Sequence, residues 1–336
     1  MARECLGLHP LLDHLATAQP LGRTPWQQWR IERFVGGANN VLYRVTDNQM
    51  TLAVKFTIRD GRDRAGREYG ALRAVQQLGE EIAPQAVFLE RARYPQPVVV
   101  QTWLAGAALE APPANDGEWG AFIDHLHAIH SLTPGNTSAS LPPVVLTMRS
   151  ADEGRARIQE NVDRVPPDHR PKSLYTLLAQ LDRTSFPTWS PPHLCLCRGD
   201  GNCRNFLRRL PRWASVDWEY SGWGDPAFEI ADLLAAPTFL TVTPDRREWV
   251  IDAYCARSAD PTITTRIWTY YQLMLIWWVV RFARSRYEIP LGRDQRLAER
   301  PATWREDNEA MYDAYFRRAE ASFLTQSAPA TAVPGK

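Results

Sequence analysis

Apolar positions along the chain change period several times, and the changes predict its elements. Leu8, Leu11, Leu12 and Leu15 fall on one face of a helix over 8–18. From 29 to 56 the pattern is that of strands. RIERFV, VLYRV and MTLAVKF are rich in β-branched and aromatic residues, and Thr46-Asp47-Asn48 between the last two predicts a hairpin. Helical spacing returns over 62–78, with Ala71, Leu72, Val75 and Leu78 on one side. Residues 84–104 are strand-like again and end in PVVVQTWLAG. Gly106 and Pro112-Pro113 mark a break.

Beyond the break the pattern predicts helices over 118–132, 151–165, 173–181, 227–236, 245–256, 263–287 and 303–324. Thr243-Pro244 supplies a cap and first-turn proline for the fifth. Short strands are expected only at 193–197, 206–207 and 213–216. The stretch 325–336, rich in Ala, Pro and Ser, is expected to be disordered. The expected fold is α+β, with a small β-rich N-terminal lobe over 1–101, a hinge over 102–106 and a larger, mainly helical C-terminal lobe over 107–324.

Composition narrows the functional classes. With 336 residues, 44% apolar and 23% charged, the chain is globular and long enough for about two domains of roughly 150 residues. A net charge of +1 gives no reason to expect nucleic acid or a membrane surface as partner. The longest apolar run, 267–280, is shorter than the ~20 residues of a bilayer span. No apolar h-region lies within 1–20, and the five cysteines form no CxxC pair, so reduced thiols and a cytoplasmic location are expected. The basic residues are 36 Arg and only 3 Lys, which makes each lysine conspicuous. No heptad is long enough to predict an oligomer.

Three groups of residues carry candidate chemistry. The first is Arg198-Gly199-Asp200-Gly201-Asn202-Cys203-Arg204-Asn205, followed by Val216-Asp217-Trp218-Glu219. Phosphoryl transfer needs a carboxylate near the acceptor hydroxyl and oxygen ligands for Mg²⁺. Asp200, Asn205 and Asp217 are such a set, although Asp and Asn also cap loops. The second is Lys55 in LAVKF, downstream of Gly36-Gly37-Ala38-Asn39-Asn40, where a lysine in an apolar strand could meet nucleotide phosphates. The third is Glu68, on the following helix, where it could hold Lys55 by an ion pair. Cys195, Cys197 and Cys203 offer three metal ligands with His193 as a fourth, but cysteines packed in a core are the better account.

In this order the motifs resemble the aminoglycoside phosphotransferase and choline kinase superfamily, which shares the protein-kinase-like fold. The resemblance runs over about 34–236, from GGANNVLYRV through LAVKF, REYGALRAV and VVVQTWLAG to CRGDGNCRNFL and VDWEYSGWGDPAFEIADLL. It implies an ATP- and Mg²⁺-dependent transfer of the γ-phosphate to a hydroxyl of a small molecule, an antibiotic or a metabolite. Asp200 becomes the catalytic base, and Asn205 and Asp217 the Mg²⁺ ligands. Gly36, Gly37 and Asn39 line the phosphate turn, Lys55 contacts the α- and β-phosphates, and Glu68 holds it. Gln101, Thr102 and Leu104 lie in the adenine-binding hinge, and Asp225 braces the lobe. Arg198 stands where the family usually has His, and the loop after Asp200 lacks the usual His and Pro.

The acceptor is less defined. Aromatic residues on 263–287, among them Trp268, Tyr270, Tyr271, Trp277, Trp278 and Tyr287, could hold a quaternary ammonium or simply fill a core. Arg198 and Arg204 could add positive charge beside the transferred phosphate, favour an anionic acceptor group, or only pair with nearby carboxylates; Arg281 or Arg284 could reach the pocket, and Glu219 could meet an amine. From 102 onward there are 26 basic and 28 acidic residues, which gives a polycationic acceptor little support. A choline- or amino-alcohol-type kinase and a nucleotide-binding pseudokinase are the alternatives.

Overall fold

A computed structural model of the chain describes residues 7–34, 40–79, 81–209, 212–293 and 300–326. The phosphate turn expected at Gly36, Gly37 and Asn39 and the tail after 326 lie outside them. The chain forms two compact units. One is built from 1–147 and 193–229, the other from 148–192, 230–294 and 300–336.

The first unit holds every described strand. Its main sheet is antiparallel, in the order β1 (Arg23–Trp26), β2 (Trp29–Phe34), β3 (Asn40–Thr46), β4 (Thr51–Thr57), β6 (Val98–Thr102) and β5 (Ala86–Glu90). The expected hairpin is β3–β4, with Asp47 accepting from the backbone N–H groups of Gln49 and Met50. Two other small sheets pair β9 (Phe206–Arg209) with β7 (Ala107–Ala108) and β10 (Arg212–Ser215), and β8 (Cys195–Cys197) with β11 (Gly222–Gly224). Sequence pattern misses β1, β7 and β11. The first holds a proline and lies at a sheet edge, and the others are two or three residues long.

Three helices complete this unit: α1 (His9–Ala18), α2 (Arg64–Val75) and α3 (Asp116–His130). The leucines of α1 enter a core with Trp29, Ile31, Tyr43, Val54, Phe56 and Val100. A second core joins Ala71, Leu72 and Val75 of α2 to Ile129 of α3, Leu196 of β8 and Trp218. Asn115 caps α3 by accepting from the Glu118 N–H at 3.0 Å, while Glu118 accepts from Ala114 N–H in return.

The second unit is helical: α4 (Ala151–Asp163), α5 (Lys172–Arg183), α7 (Pro244–Cys255), α8 (Ile263–Glu288), α9 (Trp304–Gln326) and all but the first turn of α6 (Pro226–Ala235). Thr243 caps α7 as expected. Helices α4 and α8 approach closely at Gly154, where an added Cβ would lie 2.7 Å from Leu273. Helix α9 runs two residues into the stretch expected to be disordered. No described helix is long and apolar enough to cross a membrane.

Leu12 is fully buried in the first core. Replacing it with alanine is expected to cost about 2–5 kcal/mol, read from the midpoint of chemical denaturation.

Candidate active site

Lys55 points from β4 into the interior, with its side chain only 6% exposed. Its register partners, Leu42 on β3 and Val99 on β6, are apolar and offer its charge no partner. Carboxylates do. Glu68 of α2 meets Nζ at 2.7 and 2.9 Å, and Asp217 meets it at 2.6 Å. Burial works against the Lys55 charge, but Asp217 and Glu68 together hold its pKa above the ordinary lysine value. Burial raises Glu68 to about 7, with Asp217 adding to the rise and Lys55 opposing it. Asp217 shifts the other way: Lys55 outweighs its desolvation and keeps it low.

Asp217 follows β10 in the left-handed region, at φ 62°. This conformation is costly for a non-glycine residue and is held by its surroundings. Neighbouring Glu219 is 1% exposed and accepts from Arg64 Nη1 at 2.6 Å. Arg64 also reaches Asp60 and the Tyr220 hydroxyl. Oε1 of Glu219, expected to meet an amine on the acceptor, is thus taken by an internal ion pair, and the whole residue is buried. A residue on a helix of an arginine-rich chain gave no sign of this role in the sequence.

Asp200 lies in the loop after β8. One of its oxygens accepts from Asn202 N–H at 3.0 Å and the other from Asn205 Nδ2 at 2.9 Å. Burial first, then the nearby Asp217 charge, raises its pKa. Asn205 is joined to the Asp217 strand by Val216 N–H, which donates to the Asn205 carbonyl at 2.8 Å. Asp200, Asn205, Asp217, Lys55 and Glu68 are thus brought together by short bonds.

Arg198, at 1% exposure, is internal and not displayed for an acceptor. Its guanidinium donates to the carbonyls of Val216 and Asp200 and stacks over Phe206 and Trp218 at 4.4 and 5.4 Å. It therefore ties the Asp200 loop to the Asp217 strand. Gly199 beside it has φ +68°, and a Cβ there would come within 2.5 Å of Val144.

A second brace was not foreseen. Glu229, in the first turn of α6, accepts from the backbone N–H groups of Arg198 and Gly199 at 2.6 and 3.1 Å. Its other oxygen meets His130 at 2.6 Å. Asp225, expected to brace the lobe, is also buried and accepts from Ala227 N–H.

The hinge residues lie at the end of β6. Gln101 is buried, with its amide oxygen unpartnered, and Thr102 exchanges bonds with the Gln85 backbone. Leu104 follows, half-buried. In the second unit, Tyr270 and Tyr271 are buried, and Trp278 stacks on Phe282 and Tyr315. Trp277 packs edge-on against Trp278, Arg281 donates to Ser285, and Arg284 pairs with Glu288. Most aromatic residues of this helix thus serve its packing.

The family model described as the phosphotransferase enzyme family matches residues 30–264. No curated protein matches the chain by sequence. Solved structures do match in fold. A choline/ethanolamine kinase family protein from Mesorhizobium loti is 21% identical, with a TM-score of 0.60 over 89% of this chain and 88% of its own. Aminoglycoside 2′-phosphotransferase-IIIa, solved with GDP, is 15% identical, with a TM-score of 0.62 over 93% and 98%. Spectinomycin phosphotransferase, solved with ADP and spectinomycin, is 12% identical, with a TM-score of 0.57 over 95% and 98%.

Two measurements test the site as drawn. Arg64→Met leaves Glu219 buried and unpaired, so it is expected to cost about 3–5 kcal/mol. Adding Glu219→Met is expected to restore most of that in a double-mutant denaturation cycle. His125 is buried against Ser215, and its burial, with the Arg198 charge, pushes the imidazole down to about 3. Its contribution to stability is complete above the unfolded value of about 6.5 and is lost as pH falls toward 3. Urea denaturation across that window is expected to show this slope, and to show less of it in His125→Gln.

The antiparallel sheet and the helical region share their fold with these kinases and phosphotransferases, and the matched family model spans well over half of the chain, so the chain belongs to the phosphotransferase enzyme family.

Proposed function

We propose that the chain transfers the γ-phosphate of ATP, bound with Mg²⁺, to a hydroxyl of a small molecule. The observation that carries this reading is the union of Lys55, Glu68, Asp217, Asn205 and Asp200 through contacts of 2.6–2.9 Å. Lys55 is the residue for the α- and β-phosphates, and Glu68 fixes its ammonium. The hinge over 101–104 offers backbone groups to the base. A nucleotide is consistent with the ADP and GDP that related structures carry.

The donor set suits a hard cation. Asn205 gives its amide nitrogen to Asp200, which leaves the amide oxygen for a metal, and Asp217 adds a carboxylate. Asn205 and Asp217 would hold Mg²⁺, which, when bound, neutralises charge on the phosphates. Asp200 accepts the proton of the acceptor hydroxyl as its oxygen bonds to the γ-phosphorus and the bond to ADP breaks. The raised pKa of Asp200 makes it a better base than an exposed aspartate. Asn205 and Asn202 orient its two oxygens. Arg198, locked inside, holds the loop rather than the substrate.

The class of acceptor follows from family and not from a built pocket. The small-molecule substrates of related enzymes, such as spectinomycin, set the range to search. Transfer from γ-labelled ATP with Mg²⁺ is to be measured against aminoglycosides, macrolides, choline, amino alcohols, sugars and nucleosides. A labelled product that falls by about 10²-fold or more in Asp200→Asn is expected. A product formed equally well by Asp200→Asn would remove Asp200 from the chemistry. Mg-ATP binding with no transfer to any acceptor would favour the pseudokinase alternative.

A further inference from the structure

Strand β8 leads directly into the Asp200 loop, and its two cysteines lie on the same face. The Sγ atoms of Cys195 and Cys197 are 3.8 Å apart. A ring nitrogen of His130, at the end of α3, lies within 4.8 Å of both. All three residues are buried, at 3, 2 and 9% exposure. His193, the fourth ligand considered from sequence, is exposed instead, and Cys203 donates to the Leu109 carbonyl.

We propose that His130, Cys195 and Cys197 form a buried site for one thiolate-favouring divalent cation, zinc foremost. Tetrahedral zinc, with bonds of about 2.3 Å to sulfur, holds two thiolates about 3.8 Å apart, so β8 presents its thiols at the spacing of a ligated pair. Imidazole and thiolate together suit zinc better than Mg²⁺. Gly224 on β11, the register partner of Cys195, leaves room for the sulfurs: a Cβ there would come within 3.0 Å of Cys197 Sγ. The fourth position falls to water, while Glu229, whose Oε2 meets Nε2 of His130, would orient the imidazole from its far side.

The charges balance. Two thiols lose their protons to solvent as two sulfur–metal bonds form, and the two thiolates neutralise the dication; His130, held protonated beside Glu229, releases a third proton from the ring nitrogen that takes the metal, and the Glu229 charge is then faced by Arg198. Burial raises the Cys197 thiol, so ligation must displace a firmly held proton. An ion here would clamp β8 to α3. Through Glu229, which holds the Arg198 and Gly199 backbone, it would also stiffen the loop bearing Asp200. The site is distinct from the oxygen donors assigned to Mg²⁺ and does not depend on that assignment.

Because the donors are buried, loading accompanies folding. The full chain is to be expressed in cobalt-supplemented minimal medium, purified under reducing conditions, and assayed for metal content and absorption. One cobalt per chain is expected, with a thiolate-to-cobalt charge-transfer band in the near ultraviolet. Cys195→Ser and Cys197→Ser should each lose the band, while Cys203→Ser and Cys255→Ser should keep it. A wild-type chain without cobalt, or with cobalt but no thiolate band, overturns the proposal. So does a band that persists in the Cys195→Ser/Cys197→Ser double variant. If the serine variants fold poorly, the wild-type content and spectrum decide alone.

Discussion

A lysine ammonium buried between two carboxylates is the contact around which the first unit is arranged. Lys55 arrives from β4, Glu68 from α2, the next element, and Asp217 from the turn after β10, 162 residues from Lys55. Taking these charges out of water is expensive, and each is tolerable only while the others are in place. That mutual dependence fixes α2 against the sheet and sets the depth of the Asp217 turn. Arg64 and Glu219 repeat the device one turn earlier on α2 and two residues later after β10. The two ion pairs together bind α2 to the segment 217–219.

The Asp200 loop is held by a different set of forces. Arg198 pins it from within, through two carbonyls and two aromatic faces. Glu229 pins it from below through two backbone N–H groups. Gly199 makes the close passage over Val144 possible. The base proposed at Asp200 would have to be held to within fractions of an ångström, and these buried charges hold the loop that carries it. Arg198 fits that task. Its long side chain reaches the Val216 carbonyl and so couples the Asp200 loop to the turn of Asp217.

Much of this was legible in the sequence because each signal was local. The β3–β4 hairpin was marked by its turn residues, the helices by their spacing, and α7 by Thr243-Pro244. Lys55 stood out in a chain with almost no lysine. What the sequence hid depended on partners far along the chain. Arg198 read as a charge facing the acceptor because arginine is seldom fully buried, and only the carbonyls and rings around it explain its position. Glu219 seemed free until Arg64, 155 residues away, proved to be its partner. Glu229 followed a more familiar motif residue, Asp225, and nothing nearby pointed to its bond with the loop. Strand β11 contains two glycines and shows only through its pairing with β8.

The most direct test of the account is the affinity of Mg-ATP, by titration calorimetry, for the wild-type chain, Lys55→Met and Asp217→Asn. If the buried ammonium and its carboxylate partner form the phosphate and metal site, wild type binds and the Lys55 variant binds markedly less. The Asp217 variant then loses the part of the affinity that depends on Mg²⁺. Folded variants that bind Mg-ATP as tightly as the wild type, with the same dependence on Mg²⁺, would contradict the account and leave the Lys55–Glu68–Asp217 cluster a purely structural brace.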